Sequence, residues 1–247
     1  MKKHQIDSYL KEPTHPITVT VIGCGGTGAY VVSQLAKLAV TLRVLKDIEL
    51  FVTVIDDDKV EEHNVGRQLY SPSDIGFYKS TVMVERVNRF FGLDWVSEVR
   101  RVTSPVHSNI VITCVDNIAC RKVISKTKEI HSTDLHKNCF YWLDFGNSKD
   151  YGQFVLSTFQ KVKQPKGSSY ASELPNIFQL FGKIKESKSE PSCSMAESLN
   201  QQDLFINLQV ATAGISLLWK LLKDGMISYH GQFLNLETGN TRPINIK

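Results

Sequence analysis

The run Ile17-Thr18-Val19-Thr20-Val21-Ile22 is apolar and β-branched, the composition of a buried strand. Residues 27–40 then place Ala29, Val32, Leu35, Ala36, Leu38 and Ala39 on one helical face. The same alternation recurs along the chain. Strands are predicted over 48–55, 96–102, 108–115, 141–145 and 153–159, with helices over 79–91 and 121–130. Helical spacing resumes at Ser194, with Glu197 completing a capping box, and runs through Leu204, Leu208, Ala211, Ile215, Leu218 and Leu222 to a stop at Asp224-Gly225. Residues 233–244, broken by Thr238-Gly239-Asn240, have the pattern of a closing hairpin. Strands that alternate with helices imply an α/β protein with a doubly wound, mostly parallel sheet and a C-terminal antiparallel extension. The expected organisation is a single domain over 1–247. Residues 1–16 form an N-terminal arm ended by Pro13 and Pro16, and residues 161–192 form a long crossover loop with a short apolar island at 174–184.

The first strand ends in Gly23-Cys24-Gly25-Gly26-Thr27-Gly28 and leads at once into the helix. This order makes the fold Rossmann-like and turns a glycine motif into a nucleotide site. Gly23 permits the tight turn, Gly25 lets backbone approach a phosphate, and Gly28 lets helix pack closely on strand. The unpaired N–H groups of the helix start favour an anion there. The second strand runs into Asp56-Asp57-Asp58, and an acid at this strand end is the expected acceptor for ribose hydroxyls. Arg67 and Lys79 follow, two cations able to neutralise a polyphosphate at the same mouth of the sheet. Asp116 closes a further buried strand, placed either to hold Mg²⁺ beside phosphates or to cap the next helix through Arg121.

Composition narrows the classes without naming one. The chain has 247 residues, 42% hydrophobic and 22% charged, which is ordinary for a globular protein with a sizeable core. A net charge of +4 without a basic cluster argues against a nucleic-acid binder. No apolar run approaches the length of a membrane span, and residues 1–16 carry no hydrophobic signal core, so a cytoplasmic location is expected. Five cysteines without regular spacing fit reduced thiols rather than a disulfide framework.

The combination of motifs is more specific than any one of them. In order come the glycine turn at 23–28, Asp56-Asp57-Asp58-Lys59-Val60, Asn64-Val65-Gly66-Arg67-Gln68, Asp74-Ile75-Gly76 with Lys79, and Cys114-Val115-Asp116-Asn117 with Arg121. In this set the chain resembles the ThiF/MoeB/HesA family of ubiquitin-activating-enzyme-like adenylyltransferases. The segments Pro191-Ser192-Cys193-Ser194 and 202–207 resemble the ThiF-related branch of PRTRC gene cassettes. The resemblance covers about 17–245. It implies binding of ATP and Mg²⁺ and activation of the C-terminal glycine carboxylate of a small ubiquitin-like protein as an acyl adenylate, by a homodimer. Carried over by motif, the cofactor-binding positions are Gly23, Gly25, Gly26, Gly28, Asp56, Asp58, Asn64, Arg67, Gln68, Lys79, Asp116 and Asn117. The catalytic positions are Arg67, Lys79 and Asp116, with Asp116 the Mg²⁺ ligand.

Two departures stand out. Many relatives carry two Cys-x-x-Cys pairs for structural zinc; this chain has none, and His131, His136 and Cys139 match no common zinc spacing, so structural zinc is not expected. Relatives also bring an N-terminal arginine to the partner subunit's ATP site, whereas the first arginine here is Arg43, leaving Lys3 or Lys11 as substitutes or the device absent. Cys193, just before a capped helix, is either a nucleophile of depressed pKa for later acyl transfer or a packing residue. Cys24, Cys114 and Cys120 have the character of packing residues. Two other functions stay open: an NAD-dependent oxidoreductase, for which the glycine turn and Asp56 would serve equally, and a non-catalytic adaptor that binds a ubiquitin-like tail.

Overall fold

The computed structural model describes residues 1–129, 138–182 and 202–247. An eight-stranded sheet is assembled from β2 (Ile17–Ile22), β3 (Leu50–Ile55), β4 (Val96–Glu98), β5 (Ile110–Thr113), β6 (Tyr141–Asn147), β7 (Tyr151–Thr158), β9 (Tyr229–Asn235) and β10 (Thr241–Asn245), in the order β10-β9-β7-β6-β5-β2-β3-β4. The five strands from β6 to β4 are parallel, and β7, β9 and β10 add to β6 antiparallel. The Rossmann-like parallel sheet and its antiparallel C-terminal extension are both present.

Side chains alternate across this sheet with period two, and each face finds its own cover. Val19, Val21, Ile110, Ile112, Tyr141, Leu143 and Phe145 enter one core with α2 (Gly26–Lys46), α3 (Lys79–Phe91) and α6 (Ile206–Asp224). Ile22, Val111 and Trp142 enter a second, smaller core with Cys120 and Ile124 of α4 (Ile118–Ser125) and Ile177 of α5 (Ile177–Phe181). Local chemistry sets the helix ends. Asn117 caps α4 through the Cys120 N–H, while Gly92 and Gly225 take left-handed conformations after α3 and α6.

The structure departs from the sequence-based expectation in several places. Residues 1–16 are docked rather than a free arm: β1 (His4–Gln5) pairs with β8 (Met226–Ile227), and α1 (Ser8–Lys11) buries Leu10 in the main core. His4 holds the Ala171 carbonyl oxygen at 2.7 Å and the Tyr141 hydroxyl at 2.9 Å. The helix after β5 begins at Ile118 rather than at 121, and β4 stops at Glu98. Helix α2 extends to Lys46 and is, by length and composition, apolar enough to cross a membrane. Ten of its residues are nonetheless buried within the protein. Within the expected crossover loop, α5 forms at the apolar island; residues 183–192 lie outside the described residues, as does the Ser194–Glu197 capping box.

Candidate active site

In the strand order, β3 and β4 lie on one side of β2 while β5 and β6 lie on the other. The chain therefore reverses its winding between β2 and β5, and ligands of open α/β sheets bind in the crevice at the carboxyl ends of such strands. The glycine turn leaves β2 at this point. Gly23 has φ 89°, its N–H bonds to the Ile55 carbonyl oxygen at 2.9 Å, and a Cβ there would lie 2.8 Å from the Cys114 carbonyl oxygen. A Cβ on Gly28 would overlap the Gly23 carbonyl oxygen. Gly26 makes room for Asn207, whose side-chain oxygen would lie 2.8 Å from an added Cβ. Gly25 alone of the four faces open space, with only the Gln68 Oε1 atom as far away as 4.0 Å.

Asp56 holds the turn from the side. One of its carboxylate oxygens accepts the Cys24 N–H, the other accepts the Asp58 N–H at 2.8 Å, and each oxygen keeps a further lone pair. Burial raises its pKa despite these bonds. Tyr70 closes the underside by donating its hydroxyl to the Cys24 carbonyl oxygen. Cys24 is fully buried and its thiol is pushed up to about 12 by desolvation, which makes it a packing residue. Cys120 is buried and Cys114 half-buried, with both thiol pKa values raised by burial.

Lys79 begins α3 with its side chain only 9% exposed, and its Nζ reaches Asp58 Oδ2 at 3.2 Å. The loop carrying Arg67 and Gln68 is anchored by Arg86, which donates to the Leu69 carbonyl oxygen at 2.6 Å and to Asp74 at 2.7 Å. Asn64 is buried, and its side-chain oxygen caps its own short turn by accepting the Glu61 N–H at 3.0 Å. Arg67 donates from Nη1 to Gln202 Oε1 at 2.8 Å, while its Nε is buried without a partner among the described residues. Burial lowers the guanidinium pKa. The Gln68 carboxamide oxygen is likewise buried and unpartnered among them.

The glycine turn, Asp56, Asp58 and Lys79 are joined by hydrogen bonds, Gln68 Oε1 faces Gly25, and Asp116 follows Val115 at the neighbouring strand end, where a Cβ on Gly23 would meet Val115 Cγ1 at 3.1 Å. Asp116 is exposed there, while Asn117 is engaged in capping α4. Arg121 does not cap through Asp116. It is buried against Asp144, with Nε 2.8 Å from Oδ1, and also donates to the Phe145 carbonyl oxygen at 2.6 Å. Lys3 and Lys11 do not reach this site in their own chain. They precede the start of β2 and dock near the C-terminal end of α6, whereas the site lies at the opposite ends of both elements. A 19-residue helix separates those ends by about 28 Å. Cys193, His131 and His136 lie outside the described residues; Cys139 is buried and its Sγ lies 3.3 Å from the Val106 carbonyl oxygen.

Sequence reasoning missed a polar chain beside the turn. Asn147, the last residue of β6, donates to Thr27 Oγ1 at 2.9 Å and to Asn207 Oδ1 at 2.6 Å, and Asn207 donates to Gln202 Oε1 at 3.0 Å. Asn147 carried a usable signal, a polar residue at the carboxyl end of a buried strand.

A glycine-rich turn at the switch point of a doubly wound sheet, with Asp56 and Lys79 beside it, is the arrangement of a nucleotide-binding α/β fold. The ThiF family model matches residues 11–245, and the chain belongs to the ThiF family. Among solved structures, PaaA superposes with a TM-score of 0.62 at 14% identity, over 96% of this chain and 65% of PaaA. E. coli MccB with ATP superposes with a TM-score of 0.59 at 16% identity, over 96% of this chain and 64% of MccB. E. coli MccB with AMPCPP and SeMet MccA gives 0.59 at 15% identity over the same shares. The chain spans just under two thirds of the length of these proteins. A comparison with curated proteins gives no match.

Proposed function

We propose that this chain is an ATP-dependent adenylyltransferase that activates a carboxylate, namely the C-terminal glycine carboxylate of a small ubiquitin-like protein, as an acyl adenylate. The observation that carries this reading is the site's charge pattern. Lys79 and the half-buried Arg67 flank a glycine turn at the switch point, and Arg67 has no carboxylate partner among the described residues. A desolvated cation without a counter-charge favours an anionic ligand, and a triphosphate supplies one. Family membership supports the reading, as do the neighbouring MccB structures with ATP and with AMPCPP and MccA. Placement in the PRTRC branch rests on the motif resemblance at 191–194 and 202–207, and assembly as a homodimer on resemblance alone.

The chemistry asks little of a general base. The partner's carboxylate is ionised at neutral pH and attacks the α-phosphorus directly, forming the acyl–O–P bond as the bond to the pyrophosphate oxygen breaks. Two anions must be brought together and their repulsion neutralised. In this reading Arg67 and Lys79 stabilise the charge passing to pyrophosphate. The free lone pairs of Asp56 accept ribose hydroxyls, and the backbone at Gly25 lies against the phosphates. Mg²⁺ suits the oxygen donors of this mouth, with the exposed Asp116 to hold it. Bound there, it supplies Lewis-acid neutralisation of phosphate charge. Acyl transfer to Cys193 would be a later and separable step.

The test is ATP–pyrophosphate exchange with a small protein that ends in a flexible, glycine-terminated tail. Exchange that needs this protein, and that falls roughly 10²–10³-fold in Arg67→Ala, is expected. Bound ATP without exchange would favour the adaptor, and a shift produced by NADH alone the oxidoreductase.

A further inference from the structure

The arginines of this chain that are not exposed are Arg67, Arg86 and Arg121. Two of them are neutralised, Arg86 by Asp74 at 2.7 Å and Arg121 by Asp144 at 2.8 Å. Arg67 is treated differently, because its partner among the described residues is a neutral amide, the Gln202 side chain at 2.8 Å. The hydrogen-bond chain behind that amide fixes which end it presents. Asn207 Oδ1 accepts from the Thr27 hydroxyl at 2.9 Å and from Asn147 Nδ2 at 2.6 Å, so its Nδ2 must face Gln202. Gln202 Oε1 then accepts from Asn207 Nδ2 at 3.0 Å and from Arg67 Nη1, while its Nε2 donates to the Ser148 carbonyl oxygen at 3.3 Å. Every member of the chain is a donor or acceptor with one consistent orientation. It is rooted in rigid elements: Thr27 in the first turn of α2, Asn147 at the end of β6, and Asn207 in the first turn of α6. The Gly26 backbone packs against the Asn207 amide so closely that a Cβ would overlap it.

We propose that Gln202 is the positioning residue of Arg67: it holds the guanidinium toward the glycine turn through a neutral acceptor, leaving the positive charge available to a polyphosphate. A carboxylate in its place would fix Arg67 equally well but would cancel its charge, as happens at Arg86 and Arg121. Without an acceptor, a long side chain must be ordered when the anion binds, and affinity falls. The inference deepens the adenylyltransferase reading and rests on it for the nucleotide. The coupling of Gln202 to Arg67 is a claim about anion binding and can be read without a nucleotide.

The experiment is a titration of the full chain with Mg·ATP, adenosine and inorganic tripolyphosphate, for wild type, Gln202→Leu, Gln202→Glu, Arg67→Ala and Arg67→Ala/Gln202→Leu. Gln202→Leu is expected to weaken ATP and tripolyphosphate five- to tenfold and Gln202→Glu at least tenfold, with adenosine binding unchanged; Gln202→Leu also lowers the melting temperature, because the Asn207 amide loses its acceptor. In the Arg67→Ala background, Gln202→Leu should have no further effect, because the residue acts through Arg67. Wild-type anion affinity in Gln202→Leu, or an equal loss with and without Arg67, would overturn the proposal. So would equal weakening of adenosine, the signature of a general structural role. Retained affinity in Gln202→Glu would overturn the requirement for neutrality. Coupled binding of tripolyphosphate with no ATP binding would leave Gln202 in its role and reject the adenylyltransferase reading. A wild type that binds neither would reject both.

Discussion

Gly25, Gly26 and Gly28 are near neighbours in one turn, yet alanine should act differently at each. Gly28 lies inside α2, where alanine ordinarily stabilises a helix by about 1 kcal/mol relative to glycine. Here the new methyl would overlap the Gly23 carbonyl oxygen, a backbone atom held by the Gly23–Ile55 hydrogen bond. Overpacking against atoms that cannot swing aside costs roughly 3 kcal/mol or more, so the net expectation is a loss of about 2 kcal/mol or more. Gly26→Ala meets the Asn207 amide at 2.8 Å and should dislodge the Gln202–Asn207–Asn147 chain for about 1–2 kcal/mol, the cost of a broken buried hydrogen bond. Gly25 is the N-cap of α2 with nothing nearer than 4.0 Å, so Gly25→Ala should cost only about 0.5–1.5 kcal/mol, the preference for glycine over alanine at that position. Its methyl would instead stand where a phosphate lies in the proposed complex, costing at least about tenfold in ATP affinity, or 1.4 kcal/mol. Urea denaturation followed by circular dichroism gives the stabilities, and ATP titration of the folded variants gives the affinities. Stability equal to wild type in Gly28→Ala, or a Gly25→Ala variant as unstable as Gly28→Ala, would refute this division of labour.

Asp144→Ala should cost roughly 3–5 kcal/mol, because it leaves Arg121 buried without its counter-charge. Replacing Arg121 by Met as well should recover part of this, and a strictly additive double variant in denaturation would show that the pair is uncoupled. Asp56→Ala should both weaken ATP by roughly 1.5–3 kcal/mol and lower stability by about 1–3 kcal/mol, since the Cys24 and Asp58 N–H groups lose their acceptor; unchanged ATP affinity would remove Asp56 from the nucleotide site. Burial depresses the pKa of His4 below its ordinary 6.5, so the folded protein binds fewer protons than the unfolded chain below that pH. The stability held by neutral His4 is complete above about pH 6.5 and is lost as pH falls, by at most about 1.4 kcal/mol per pH unit. The advantage of wild type over His4→Gln should therefore shrink between pH 7.5 and 5.5, and an advantage that grows in that interval would contradict the burial of a neutral ring.

The parts of the fold that were legible in the sequence are those built from periodic runs. The expected bounds of β2 and α3 match the structure because each is a continuous pattern bounded by a clear signal, the glycine turn for one and Gly92 for the other. Helix α2 outran its expected end because its last turn, Arg43-Val44-Leu45-Lys46, is exposed and carries no buried-face pattern, and its left-handed stop is Asp47 rather than a glycine. The docking of residues 1–16 had no periodic signature. It depends on single buried contacts, Leu10 in the core and His4 against Tyr141, whose partners lie far along the chain. The same limit applies at the site. Asp56, Lys79 and the glycines could be placed by their strand and helix ends, but Arg121 pairs with Asp144 and Arg67 with Gln202, and such long-range pairings leave no local pattern to read.

Whether this switch point holds a nucleoside triphosphate, as proposed, is read from thermal unfolding with Mg·ATP or NADH. At a hundredfold excess over its dissociation constant, a ligand that binds only the native state stabilises it by about 2.7 kcal/mol. Mg·ATP is expected to give that stabilisation, Arg67→Ala to lose it at the same ATP concentration, and NADH to give none. Stabilisation by NADH with none from Mg·ATP would contradict the proposal.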